Sequence, residues 1–177
     1  MSTLLMTREQ MQTTLARMAH EIAERTPPDA PLAIVGIRRR GDSLARRLRP
    51  LVEGAGRKVA HFGAVDITLY RDDLSTIGPQ AKVRGTELEF DVTGTWLVLV
   101  DDVLYTGRSV RAALDAIMDI GRPRAIKLAV LVDRGWRELP IHGDFIGRKI
   151  ETSAEQIVKV KVDDIDGKDE VEIVVKE

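Results

Sequence analysis

Leu97-Val98-Leu99-Val100-Asp101-Asp102-Val103-Leu104-Tyr105-Thr106-Gly107-Arg108-Ser109 is the stretch whose reading decides the fold. An apolar run ends in two adjacent acids, and a Thr-Gly turn opens onto Val110, Ala113, Leu114 and Ile117, spaced as one face of a helix. The order is strand, acidic edge, glycine turn, helix. In an open α/β sheet the carboxyl ends of strands line the ligand crevice, which puts Asp101 and Asp102 at its lip. Backbone N–H groups of residues 106 to 109, at a helix N-terminus, then point at an anion. A phosphate suits that place, with hydroxyls or a metal at the acids.

Upstream, Thr7-Arg8-Glu9-Gln10 reads as a capping box, and Met11, Leu15, Met18 and Ile22 follow on one face, predicting a helix from Thr7 to Arg25. Its other face carries Arg17, His20, Glu21, Glu24 and Arg25, which on the residues alone reads as solvated surface. Prolines 27 and 28 end the helix, and Leu32 to Ile37 is a short buried strand. Gly36 and Gly41 have the outer spacing of a Walker A loop, but Asp42-Ser43 stands where Lys-Ser or Lys-Thr is required, which excludes a P-loop. What remains is a second strand-to-helix turn with Arg38, Arg39, Arg40 and a glycine small enough for an anion to come close. Solvated arginines are an equal alternative at that point.

The helix after this turn has the core face Leu44, Ala45, Leu48, Leu51 and Val52, closed by Gly54 and Gly56. Val59 to Leu69 is strand-like, the charged turn Arg71-Asp72-Asp73 follows, and the aperiodic stretch to Gly85 suits a lid over the crevice. Leu88, Phe90 and Val92 alternate as a half-exposed strand. Downstream, Ile126 to Val132 is an apolar strand ending in Asp133-Arg134-Gly135, Trp136 to Arg148 has no clear period, and Ile157–Val162 with Val171–Val175 form a closing hairpin around Asp166-Gly167. The alternation predicts an α/β fold with a mainly parallel sheet.

Composition narrows the classes. With 177 residues, 44% of them hydrophobic, the chain can fill one α/β core but not two ordinary domains, so residues 1–177 are expected to form a single one. The absence of cysteine removes disulfides, thiolate zinc sites and a cysteine nucleophile, and points to the cytoplasm. No apolar run approaches the roughly 18 residues that span a bilayer, so no membrane partner is expected. A net charge of −1 argues against wholesale polyanion binding, although arginines crowd the first half and acids the tail.

Adjacent acids at a strand end have several readings: a magnesium site, a receiver-type pocket, or charge complementing a helix dipole. Thr106-Gly107, four or five residues on and before a helix, makes the pattern specific. Val98 to Val110 resembles the phosphoribosyl-diphosphate (PRPP) motif of type I phosphoribosyltransferases. Together with Asp66 to Leu74 and Leu131 to Gly135, it is similar to one branch, the bifunctional pyrimidine operon regulators with uracil phosphoribosyltransferase activity. The likeness covers nearly the whole chain. It implies a central sheet flanked by helices, with a small hood from the N- and C-terminal segments and a flexible loop at about 71–85 that includes Arg71, Asp72 and Asp73.

The resemblance implies transfer of uracil onto PRPP to give UMP and diphosphate, with Mg²⁺ held mainly by PRPP and no dedicated metal site. Carried over, Asp101 and Asp102 hold the ribose hydroxyls and, with Arg40, are the catalytic set. Tyr105, Thr106, Gly107, Arg108 and Ser109 wrap the 5′-phosphate, and Arg39, Arg40 and Gly41 form the diphosphate loop, where Arg39 replaces a threonine. Val132, Asp133 and Arg134 lie against uracil. Tyr105 fits a pyrimidine base, since an acid often stands there in purine-using relatives.

The same branch binds a hairpin of pyrimidine-operon messenger RNA through a basic face of a homodimer or homotetramer and controls transcription by UMP-dependent attenuation. Arg17, His20, Arg25, Arg137, Arg148 and Lys149 would supply phosphate contacts. Ala16, Trp136 and His142 depart from the residues expected there. Two other readings are an RNA-binding nucleotide sensor with little catalytic role and a purine-base phosphoribosyltransferase.

Overall fold

A computed structural model describes residues 1–68 and 86–177; the expected lid and its Arg71, Asp72 and Asp73 lie outside them. In chain order the elements are β1 (Ser2–Met6), α1 (Arg8–Arg25), β2 (Leu32–Ile37), α2 (Arg40–Gly54), β3 (His61–Val65), β4 (Thr86–Glu87), β5 (Trp96–Leu104), α3 (Arg108–Met118), β6 (Ala125–Asp133), β7 (Phe145–Lys149), β8 (Gln156–Lys161), α4 (Asp163–Asp166) and β9 (Glu170–Val175). One sheet runs β4-β3-β2-β5-β6-β7 and the other β1-β9-β8. Strands β3, β2, β5, β6 and β7 pair in parallel, β4 is antiparallel to β3, and the three-stranded sheet is antiparallel throughout.

Side chains on a strand alternate between faces, so a strand covered on both sides needs apolar residues at every position. β2 meets that demand: Leu32 and Ile34 pack with Met11, Leu15, Met18 and Ile22 of α1 and Leu44 and Leu48 of α2, whereas Ala33, Val35 and Ile37 pack with Val110, Ala113 and Ile117 of α3. In β5, Val98 and Val100 likewise face α1 and α2 while Leu97 and Leu99 face α3. The small sheet joins the first cluster through Val158, Val160, Val162 and Val171. The α/β class and the parallel sheet read from the sequence are what the chain adopts.

Four local expectations differ. β5 continues four residues beyond its apolar run, because β6 keeps pairing with it through Val103↔Val132 and Leu104↔Asp133. Residues 88–92 are not a strand: Asp91 Oδ1 accepts the Thr93 N–H at 2.9 Å and Val92 O accepts the Thr95 N–H at 3.1 Å, which turns the chain. Leu88 and Phe90 pack from this turn against the α3 side, Phe90 stacking on His61 with centroids 4.7 Å apart. Leu51 is exposed rather than core. Strands β1 and β7 were invisible to periodicity, being half-exposed edge strands of five residues. No described helix is long and apolar enough to cross a membrane.

Candidate active site

The crevice forms where β5 outruns β2. Their last pair is Gly36↔Val100, so Asp101 and Asp102 lie beyond the last β2–β5 pair, where β6 is the strand that still pairs with β5. Helix α2 starts directly against this point. A Cβ on Gly41 would lie 2.4 Å from the Val100 carbonyl oxygen, and one on Gly36 would lie 2.4 Å from the Asp42 Cα. Both glycines therefore let backbone meet backbone, a packing reason for Gly41 beside the expected approach of an anion.

Successive residues of a strand face opposite sides, which separates the two acids. Asp101 is buried and Asp102 half-buried. The Asp102 N–H donates to Asp101 Oδ1 at 2.9 Å, and the Val103 N–H to Asp102 Oδ1 at 2.8 Å. Burial, and then the neighbouring charge of Asp102, push the Asp101 carboxyl well above the usual carboxylate range. Two adjacent acids thus acquire different characters.

The anion cradle lies four residues on. Gly107 has φ +93, a left-handed conformation that side chains resist, and it is the N-cap of α3. Its N-cap residue makes no side-chain capping bond, and neither does that of α2. The turn is fixed from behind, Thr106 O accepting the N–H groups of Glu138 at 2.9 Å and Leu139 at 3.1 Å. Thr106 Oγ1 accepts the Arg108 N–H at 3.2 Å, and Arg108 Nε lies 3.4 Å from Glu138. Ser109 is exposed at the first turn. The Arg134 guanidinium lies 4.0 Å above the half-exposed Tyr105 ring.

On the other side of the lip, the Arg38–Arg39 peptide is cis, the Arg38 N–H donates to Val65 O at 2.9 Å, and Arg39 is the N-cap of α2. Arg40 pairs with Asp166 through two contacts, at 2.7 and 3.2 Å. That hydrogen-bonded pairing, with added charge from Asp102, raises the guanidinium's pKa further above its ordinary value.

At the end of β6, Val132, Asp133 and Arg134 are all buried. The Asp133 carboxylate is shared by the Gly135 N–H at 3.0 Å and Arg137 Nη2 at 2.8 Å. Arg134 reaches Thr152 Oγ1 at 3.2 Å and Ser153 O at 3.3 Å. Arg137, read from the resemblance as an RNA contact, also donates to Tyr105 O and Ile141 O, each at 2.7 Å. One guanidinium therefore ties the β6 end to the phosphate turn.

The structure thus brings residues 39–41, 101–102, 105–109 and 132–134 around the ends of three adjacent strands. The basic residues that the resemblance gives to RNA lie mostly on α1 and β7. Arg17 donates to Ile146 O and Gly147 O and pairs with Glu21 at 2.8 Å. Arg25 donates to Asp144 O at 2.9 Å and lies over the Phe145 ring, and Arg148 donates to Leu5 O at 2.6 Å. These three fasten α1, β7 and β1 together, while His20 and Lys149 are exposed nearby in sequence on α1 and β7. Of the departures, Trp136 has φ +66 and donates its indole N–H to Thr152 O at 2.7 Å; His142 is exposed, 3.8 Å from Asp144.

Two participants escaped the sequence reading, Asp166 and the bridging role of Arg137. Their partners lie 126 and 32 residues away, at Arg40 and Tyr105, and no local pattern signals such contacts. Among the described residues, no group of three or more His, Cys, Asp or Glu side chains is placed to hold a metal.

A profile of the phosphoribosyl transferase domain family matches residues 5–165. The bifunctional protein PyrR of Thermus aquaticus is 55% identical over 174 residues, covering 98% of this chain and 96% of the relative. That of Pelotomaculum thermopropionicum is 51% identical over 169 residues, covering 96% and 93%. Among solved structures, the hypoxanthine phosphoribosyltransferase of Trypanosoma cruzi has a TM-score of 0.73 at 17% identity, covering 99% of this chain and 97% of the other, a likeness of fold alone. By the span of the profile and by identities above one half along nearly its whole length, the chain belongs to the phosphoribosyl transferase domain family and, within it, to the bifunctional PyrR proteins.

Proposed function

We propose that the chain transfers the phosphoribosyl group of PRPP to uracil, giving UMP and diphosphate, and that with UMP bound it recognises pyrimidine-operon leader RNA. One observation carries the enzymatic half: a helix N-terminus whose N-cap is left-handed Gly107 stands beside two acids at the end of β5. Backbone N–H groups and the Thr106 and Ser109 hydroxyls meet the 5′-phosphate there, together with Tyr105 and Arg108. Asp102, half-exposed at the lip, accepts from the ribose hydroxyls, and Asp101 supports it from below.

In the transfer, the bond from C1 of ribose to the diphosphate oxygen breaks and a bond from uracil N1 to C1 forms, while the N1 proton passes to water or to the departing diphosphate. Positive charge gathers on the ribose ring as diphosphate departs, and an anionic Asp102 beside the ring favours it. Arg40, with Arg39 and Gly41 shaping the turn, faces the leaving diphosphate. Mg²⁺ carried by PRPP would supply neutralisation of the diphosphate charge, and the half-exposed Asp102 is the acid at the lip that would meet it. Uracil lies against the β6 end at Val132, Asp133 and Arg134. Since the Asp133 carboxylate already holds Gly135 and Arg137, its part is to shape the base site. We place this work in the cytoplasm, for a chain without cysteine, and in a homodimer or homotetramer.

The purified chain with uracil, PRPP and Mg²⁺ should release diphosphate and form UMP. Absence of turnover together with absence of PRPP binding overturns the enzymatic reading, and hypoxanthine outcompeting uracil overturns the choice of base. The regulatory half draws on the identity to proteins named bifunctional and on exposed His20 and Lys149. Fluorescence titration of leader RNA should show tighter binding with UMP present; affinity indifferent to UMP overturns it.

A further inference from the structure

Three side chains on one face of α2, Arg40, Ser43 and Arg47, all meet acids of the turn between β8 and β9. Their spacings of three and four residues align them along the helix. Arg40 takes Asp166 by two edges, Nη2 to Oδ1 at 2.7 Å and Nε to Oδ2 at 3.2 Å. Ser43 Oγ donates to Asp164 Oδ1 at 2.6 Å, and Arg47 Nη2 reaches Asp169 at 2.8 Å and Asp164 at 3.3 Å. The turn is stiffened from within: Asp166 Oδ2 accepts the Val162 N–H at 2.9 Å, and Asp169 Oδ1 accepts the Asp163 N–H at 2.7 Å.

These contacts are not equivalent. Ser43 and Arg47 hold the middle of α2, and their loss would loosen the docking of the small sheet. Arg40 is the first residue of α2 and follows the Arg38–Arg39 turn at the crevice, and its side chain is 37% exposed beside an Asp166 that is 18% exposed. It is therefore anchored yet reachable. A guanidinium is a planar fork, so a carboxylate that grips Nε and Nη2 also fixes the direction of Nη1.

We propose that Asp166, reaching from the antiparallel sheet, is the positioning residue for Arg40, fixing its guanidinium so that the remaining edge meets the diphosphate of PRPP. The inference rests on the transferase reading above. Asp166 also takes some positive charge from the crevice, which opposes diphosphate binding. At a partly exposed site water weakens that charge effect, whereas the saving in orientation of a long side chain is kept. Orientation wins.

Asp166→Asn keeps the size and the acceptor for the Val162 N–H but loses the charge and one of the two acceptors for Arg40. Steady-state kinetics of the full chain should show the KM for PRPP raised about five- to tenfold, with kcat and the KM for uracil within about twofold. Asp166→Glu should recover part of the loss, and Asp164→Asn, in the same turn, should leave the KM for PRPP within about twofold of wild type. Thermal melting identifies a folding defect, in which case Asp166→Glu carries the test with a smaller rise. A folded variant whose KM for PRPP is unchanged or lowered overturns the proposal, as do equal rises for PRPP and uracil. Calorimetric binding of magnesium diphosphate to wild type and Asp166→Asn reads the same contact without turnover, so an inactive wild type would count against the transferase reading and not against Asp166.

Discussion

Helix α1 starts on Thr7, whose Oγ1 accepts the Gln10 N–H at 3.2 Å while Gln10 Oε1 accepts the Thr7 N–H at 2.9 Å. Helix α3 starts on Gly107, which has no side chain to offer, and α2 starts on Arg39, which makes no capping bond. Every helix N-terminus presents backbone donors that need partners. The first meets that need from its own sequence, on the flank of the sheet, whereas the other two begin at the strand ends beside Asp101 and Asp102. The contrast distinguishes a helix built to stay closed from one built to receive an anion. Arginines alone are a weaker guide: Arg17, Arg25 and Arg148 are engaged by carbonyls, whereas the proposed phosphate site draws on backbone N–H groups.

The sharpest way to break this contrast is at the acids. Asp102→Asn removes the half-buried carboxylate proposed to meet the ribose and should lower kcat/KM at least a hundredfold, on the order expected for lost electrostatic stabilisation, with the melting temperature little changed. An activity loss no larger than that of a change in the acidic tail would show the crevice to be misplaced. Gly107→Ala comes next. Its φ of +93 places a Cβ where side chains are strained by roughly 1–2 kcal/mol, 3.4 Å from the Ile141 side chain. The turn should shift, and UMP affinity measured by calorimetry should fall about tenfold. Unchanged affinity would mean that the α3 terminus does not hold the phosphate.

Asp101 should act through pH on stability. Its carboxyl is pushed up, first by burial and then by the charge of Asp102. A carboxyl with a raised folded-state pKa adds stability while protonated and loses it as pH rises from the ordinary value of about 3.9 through its own higher one. Asp101→Asn, which keeps an acceptor for the Asp102 N–H, should therefore melt higher than wild type at neutral pH, and the gap should close toward acid pH. A variant equally or less stable at neutral pH would show that the buried charge carries no cost. Such a cost, borne at an active-site acid, is what a function-bearing position looks like.

The core of the candidate site could be read because its signals are local. Asp101-Asp102 to Thr106-Gly107 spans a few residues, strand leads directly to helix, and the family likeness extended the reading to residues 39–41 and 132–134. The capping box at Thr7 and Gln10 is equally local and appears as read. What stayed hidden depends on contacts across the chain. β7 acquires its strand character by pairing with β6, β1 by pairing with β9, and Asp166 acquires its relation to Arg40 through the small sheet. Gly41 shows the intermediate case, where the need for a glycine was visible but the close Val100 carbonyl required the fold. The alternating residues 88, 90 and 92 misled because alternation records burial, and here a turn buries them.

Thr7→Ala is the control that completes the comparison and carries the smallest expected effect. It removes the hydroxyl that accepts the Gln10 N–H and leaves Gln10 free to bond the Thr7 backbone only. Loss of a cap of this kind costs about 1 kcal/mol. For a chain of 177 residues that corresponds to a fall in melting temperature of roughly 2–4 °C. Because α1 packs through Met11, Leu15 and Met18 on the flank of the sheet, and its capped end is a closed hydrogen-bonded unit, kcat/KM should be unaltered. The stabilisation conferred by saturating UMP should likewise equal that of wild type, since the UMP phosphate is proposed to sit at the α3 terminus. A Thr7→Ala variant that melts normally but binds UMP weakly would place a ligand at the closed helix and remove the distinction between the two kinds of terminus.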